Sequence, residues 1–174
     1  MEENISYAEN LFLKADTLIT EGKITEGKEL LEELLQQFPD YGRAHNHIGW
    51  IYCTKYSNYE KGEYHYKLAM KFTPKYPPSY LNYSYLLVDI GRYQEAKILI
   101  DLALNTVEGI DFASFYSELG KIHEMEGDYF KAYKYYKDAR NKAMNPAFID
   151  NMNAGLDRVK NKMSTFEKIK LRFK

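Results

Sequence analysis

A chain of 174 residues with a formal net charge of −1 fits one domain of ordinary size, and its charge balance gives no sign of nucleic-acid binding. Hydrophobic residues make up 45% and tyrosine contributes 17 positions, enough for a continuous core with half-buried amphipathic rings. A single cysteine, Cys53, excludes an intramolecular disulfide, and the spaced prolines and glycines punctuate regular elements rather than mark a disordered chain.

In chain order, one short phrase recurs: a turn residue, any residue, an apolar or aromatic one, then a small residue three further on. It stands at Gly22-Lys23-Ile24 with Gly27, at Ser57-Asn58-Tyr59 with Gly62, at Gly91-Arg92-Tyr93 with Ala96, and at Gly127-Asp128-Tyr129 with Ala132. Successive copies lie 34 to 36 residues apart. Before each turn comes a small residue, Ala15, Gly49, Ser84 or Gly120, with one residue inserted ahead of Ser57. After it come a large residue (Leu31, Tyr66, Ile100, Tyr136) and then Leu34, Ala69, Ala103 or Ala139. Pro39 and Pro74 close the first two copies. The third runs through Thr106-Val107-Glu108-Gly109 without a proline, and Pro146 comes late after the fourth.

This period and this alternation of small and large residues resemble the tetratricopeptide repeat. Leu11, Ile48, Tyr52 and Leu119 add to the likeness, which covers about residues 8–146. Copy one departs from the pattern, with Lys14 where leucine is usual and Leu34 where alanine is usual. The resemblance implies an all-α fold, a right-handed α-α superhelix (α-solenoid) of paired helices A and B. The four copies would occupy 8–41, 42–76, 77–112 and 113–146 within residues 1–146. Small residues let two backbones approach, large ones fill the holes beside them, and stacked hairpins cover one another's apolar faces.

From Ala147 on, Leu156, Val159, Met163, Phe166, Ile169 and Phe173 recur at three- and four-residue steps, which predicts one long helix over 147–174. Its first half is expected to cap the fourth repeat. Its second half is a basic amphipathic tail, with Phe166, Ile169 and Phe173 among Lys168, Lys170, Arg172 and Lys174. Charge is uneven along the chain: Met1 to Asp40 holds ten acids against three lysines, and Arg158 to Lys174 holds seven bases against Glu167. Two solvated ends explain this. The sharper readings are an anionic partner at the basic end, a membrane included, or head-to-tail self-association.

No phosphate-binding glycine loop, nucleophile elbow or zinc-binding histidine pair occurs, and no acid pair stands out in an apolar setting, so the chain reads as a non-enzyme without cofactor or metal. His45 and His123 fall where the repeat usually keeps core aromatics and read as structural. The start Met1-Glu2-Glu3-Asn4 lacks a secretory pattern and no stretch is long enough to span a bilayer, so a cytoplasmic location is expected.

The repeat register implies a concave groove lined by A helices that binds a partner peptide or helix. Copy one should supply Phe12, Asp16 and Ile19, and copy two Arg43, Asn46, His47, Trp50 and Cys53. Copy three should supply Leu81, Asn82, Tyr85 and Asp89, and copy four Ser117, Glu118, Lys121 and Glu124. Trp50 and Tyr85 would be aromatic anchors, and Asn46 and Asn82 would bond a peptide backbone; the bland alternative is that Trp50 only fills space. The carboxylate clamp that grips heat-shock chaperone tails is not expected, because Phe12, Asp16, His47, Pro78 and Asn82 stand where its cations and amides belong. Nucleic acid is not expected either, since the tail has few aromatics for base stacking.

Overall fold

The turn residue of each repeated phrase stands in the left-handed backbone region, which ends one helix and lets the next fold back. Gly22, Gly91 and Gly127 have φ of 83°, 76° and 81°, and Ser57 takes φ of 50° despite its Cβ. A backbone bond from the residue after the turn residue closes each turn. Lys23, Arg92 and Asp128 donate to the carbonyls of Leu18, Leu87 and His123, five residues back, whereas Asn58 donates to Tyr52, six residues back. The residue inserted ahead of Ser57 is absorbed there.

The computed structural model describes residues 2–171, which form ten helices and no strand. They are α1 (Glu2–Thr20), α2 (Ile24–Gln37), α3 (Gly42–Lys55), α4 (Tyr59–Phe72), α5 (Pro77–Asp89), α6 (Tyr93–Thr106), α7 (Phe112–Met125), α8 (Tyr129–Lys142), α9 (Pro146–Lys162) and α10 (Thr165–Lys170). None of these is long and apolar enough to cross a membrane. Arg172, Phe173 and Lys174, part of the expected tail, lie outside the described residues.

Helices pair through the small positions. A Cβ added to Gly27 of α2 would lie 2.6 Å from Ile19 Cγ1 of α1. One added to Gly49 of α3 would lie 2.8 Å from the Tyr66 ring of α4, and one added to Gly120 of α7 would lie 2.6 Å from the Tyr136 ring of α8. Protein interiors hold no slack for such an atom. The large partners Leu31, Tyr66, Ile100 and Tyr136 are at most 2% exposed, and Ala15, Ser84, Ala96 and Ala132 are fully buried.

The chain divides in sequence between Leu86 and Leu87 into two compact units. The core of the first contains Phe12, Ala15, Leu31, Leu34, Ala44, Ile48 and Ile51. The second has a core of Ala132, Tyr136, Ala139, Met152, Leu156 and Val159, from α8 and α9. Here Tyr136 is held between two glycines, since a Cβ at Gly155 of α9 would lie 3.3 Å from the other edge of its ring. Its hydroxyl donates to Glu124 at 2.9 Å, and the same carboxylate accepts from Arg158 at 2.7 Å and Lys162 at 3.0 Å, both on α9. The Arg158 bond above all holds the Glu124 carboxyl at a pKa of about 2.

The C-terminal segment corrects the expectation of one long helix. Pro146 does not close α8 but occupies the first turn of α9, with Asn145 capping the Phe148 amide at 3.2 Å. α9 stops at Lys162, Met163 turns extended and buries its side chain, and Ser164 opens α10 in a capping box with Glu167. The Ser-x-x-Glu signal of a new helix is present in the sequence, inside an apolar periodicity that runs straight across it.

Gly120→Leu and Ala132→Leu are each expected to lower stability by about 1–3 kcal/mol, because a branched side chain has nowhere to go between α7 and α8. Urea or thermal unfolding within error of the parent would contradict this packing.

Candidate functional site

In the first unit, α1, α3 and α5 are joined by polar contacts between residues on their facing sides. His47 Nε2 lies 2.9 Å from Asp16 Oδ1, and its Nδ1 lies 3.1 Å from the Arg43 carbonyl oxygen, so both ring nitrogens face acceptors. Arg43 donates to Glu9 at 2.8 Å, and Tyr41 donates to the same carboxylate, which is held below its usual pKa by the Tyr41 bond first and Arg43 second. The Arg43 guanidinium also lies 4.1 Å above the Phe12 ring, which the His47 ring meets edge-on at 4.9 Å. Between α3 and α5, Asn82 Nδ2 donates to Asn46 Oδ1 at 3.1 Å. Trp50, one turn beyond Asn46, and Tyr85, three residues beyond Asn82, are half-buried, as is Leu81. The Lys55 ammonium lies 5.2 Å from the Trp50 ring.

In the second unit, Asp89 and Lys121 are exposed and Glu118 is buried, at 2% exposure. Lys121 donates to Glu118 at 2.6 Å. Burial raises the Glu118 pKa, Asp89 adds to the rise, and Lys121 opposes it.

Several solved structures are similar to the chain in fold. The chain is similar to Pseudomonas aeruginosa pilF at 15% identity, with a TM-score of 0.82 over 92% of this chain and 70% of that one. It is also similar to TTC0263, a thermophilic TPR protein of Thermus thermophilus, at 20% identity and a TM-score of 0.70 over 89% and 84% of the two chains. A third is PilW, described as a widely conserved type IV pilus biogenesis factor, at 16% identity and a TM-score of 0.66 over 89% and 74%. No protein-family model and no curated protein matches the chain. The chain has the tetratricopeptide-repeat fold.

Within that fold, several side chains do not stand where the repeat register placed them. Phe12 is a core residue, 2% exposed beneath Arg43, because its ring is the platform for that guanidinium. Asn46 is 2% exposed and bonded to Asn82, so it ties α3 to α5 and does not face a peptide backbone. Ile19 packs on Gly27 of α2. Cys53 packs on Gly62 and Tyr66 in the α3–α4 seam. Ser117 is buried at 3%, Glu118 at 2%, and Glu124 faces α8 and α9. Asp16, Arg43, His47, Trp50, Leu81, Asn82 and Tyr85 in the first unit, and Asp89 and Lys121 in the second, keep accessible surface, as do the half-buried Ile19 and Cys53. Trp50 packs against the first core with part of its ring, so it both fills space and offers a surface.

Sequence reasoning read His45 and His123 as structural but missed the contact that His45 makes with His65. His45 and His123 are buried, at 6% and 9% exposure. His45 Nε2 donates to the Pro39 carbonyl at 3.0 Å, so in the neutral ring Nδ1 is an acceptor. It faces His65 Nδ1 at 2.9 Å, which therefore donates. Phe72 stacks on His45 and Tyr52 on His65. Burial pushes both pKa values down, that of His65 to about 4 with the His45 ring adding to the effect. The two residues are 20 apart on different helices, and no local pattern announces the contact. Among the described residues no group of three or more histidine, cysteine or acidic side chains could hold a metal ion.

Both histidine pKa values are lowered, so the unfolded chain takes up protons first as pH falls below about 6.5. The stability that the neutral pair contributes at pH 7 is then lost progressively down to about pH 4. Melting temperatures across that window should fall more in the parent than in a His45→Phe/His65→Leu variant. Equal slopes would contradict the neutral buried pair.

Proposed function

We propose that the chain is a non-catalytic scaffold or adaptor that holds a peptide or helix of a partner protein against the A-helix face, with Trp50 and Tyr85 as anchors. The observation that carries the reading is the half-buried Trp50 on α3, beside a helix that presents Leu81 and Tyr85. Aromatic rings fixed on one side and open on the other suit a binding hot spot, because they offer large contact area at small entropic cost. Asp16, Arg43, His47 and Asn82 supply polar groups on the same unit. The positions that would need cations for a chaperone-tail clamp hold buried Phe12 and the Asp16–His47 pair, which argues for another kind of peptide. The reading takes the chain to act in the cytoplasm, where a lone thiol such as Cys53 stays reduced.

A second reading, a peripheral membrane or assembly factor acting through the basic C-terminal tail, is favoured by one feature of α10. Phe166 and Ile169 are 66% and 46% exposed there, more than a covering helix needs.

Trp50→Ala/Tyr85→Ala is expected to weaken capture of the partner by about tenfold or more while far-ultraviolet helicity is unchanged. Affinity capture from the source cell, run beside the parent, is the check. Recovery of the same proteins in the same amounts would remove the A-helix face as the binding site.

A further inference from the structure

α10 does not stand alone. Its end meets α8, where a cleft of about 290 Å³ is lined by Phe130, Tyr133, Lys134, Lys137, Asp138 and Leu171. The Lys170 ammonium lies 4.6 Å from the Phe166 ring and 6.0 Å from the Phe130 ring, and that of Lys134 lies 5.0 Å from Phe130. Lys131, Lys134 and Lys137 recur at three-residue steps on the solvent side of α8, and Lys168 and Lys170 are exposed on α10. Of the nearby acids, Asp128 pairs with Lys131 at 2.9 Å and Glu167 closes the capping box with Ser164, which leaves Asp138 of the cleft lining among Lys134, Lys137, Lys168 and Lys170. Phe166 and Ile169, three apart and so on one face of α10, project from this cationic ground.

We propose that α8 and α10 together form a peripheral docking surface for an anionic phospholipid bilayer. Phe166 and Ile169 enter the headgroup interface, and Lys134, Lys137, Lys168 and Lys170 meet the lipid charge. The large apolar side chains Phe166 and Ile169 stand proud among exposed lysines, the arrangement that entry into an anionic lipid interface requires. The proposal rests on the tail reading and extends it, because it makes α8, which lies outside the tail, half of the surface.

The test is co-sedimentation of the full chain with vesicles of phosphatidylcholine containing about one-third phosphatidylglycerol, and with phosphatidylcholine alone. The parent should bind the anionic vesicles and not the neutral ones, and lose binding as salt is raised. Lys134→Gln/Lys137→Gln should weaken binding about fivefold per lysine, roughly 30-fold for the pair. Phe166→Ser/Ile169→Ser should weaken it about tenfold or more. All four positions lie on the outer surface, and helicity by circular dichroism checks that the variants fold. If the parent ignores anionic vesicles, both the proposal and the membrane form of the tail reading fall. If the Phe166/Ile169 variant loses binding and the Lys134/Lys137 variant keeps it, the composite surface is overturned and the tail reading stands. Equal binding to neutral vesicles overturns the role given to the lysines.

Discussion

At Gly49 and Gly120 the backbone of an A helix lies against the ring of a B-helix tyrosine, with no side chain between them. That contact sets the rotation of the A helix about its axis, and so decides which residues it presents outward. Trp50 is next to Gly49, and Lys121 is next to Gly120. Packed interiors tolerate no extra atom there, so a change at the seam alters the outward face as well as stability.

The second unit adds an electrostatic lock to this packing. Tyr136 lies between Gly120 and Gly155, and its hydroxyl joins Arg158 and Lys162 on the Glu124 carboxylate. A carboxylate with three donors, two of them cationic, is fully satisfied and strongly directional. It fixes α9 over α8 at the end of the repeated pattern, where the apolar face of the last hairpin would otherwise be open to water. The first unit uses the same device on its polar side, where Glu9 gathers Tyr41 and Arg43 and Arg43 rests on Phe12.

The fold was legible in the sequence because its constraint is steric and local. A seam that must be small shows itself as Ala15, Gly49, Ser84 and Gly120 at the repeat period, and a turn that must be left-handed shows itself as glycine in three copies of four. The candidate site was only partly legible. Register says which side of a helix a residue occupies but not whether a neighbour covers it. Phe12 is lost beneath Arg43 and Asn46 is spent on Asn82 through contacts between helices that no spacing rule encodes, and Glu118 is buried although its i,i+3 partner Lys121 is exposed. The His45–His65 contact joins residues on two helices and has no local signature. The break at Ser164 was readable as a capping box, but an uninterrupted apolar period concealed it.

A double-mutant cycle on Gly120 and Tyr136 tests the central packing claim most directly, with unfolding free energies measured for the parent, Gly120→Ala, Tyr136→Leu and the double variant. If the bare backbone at Gly120 is needed because the Tyr136 ring fills the space above it, Gly120→Ala should cost about 1–3 kcal/mol in the parent and much less once the ring is gone. Strictly additive costs, or a stabilising Gly120→Ala in the parent, would show that the two helices do not meet there as described.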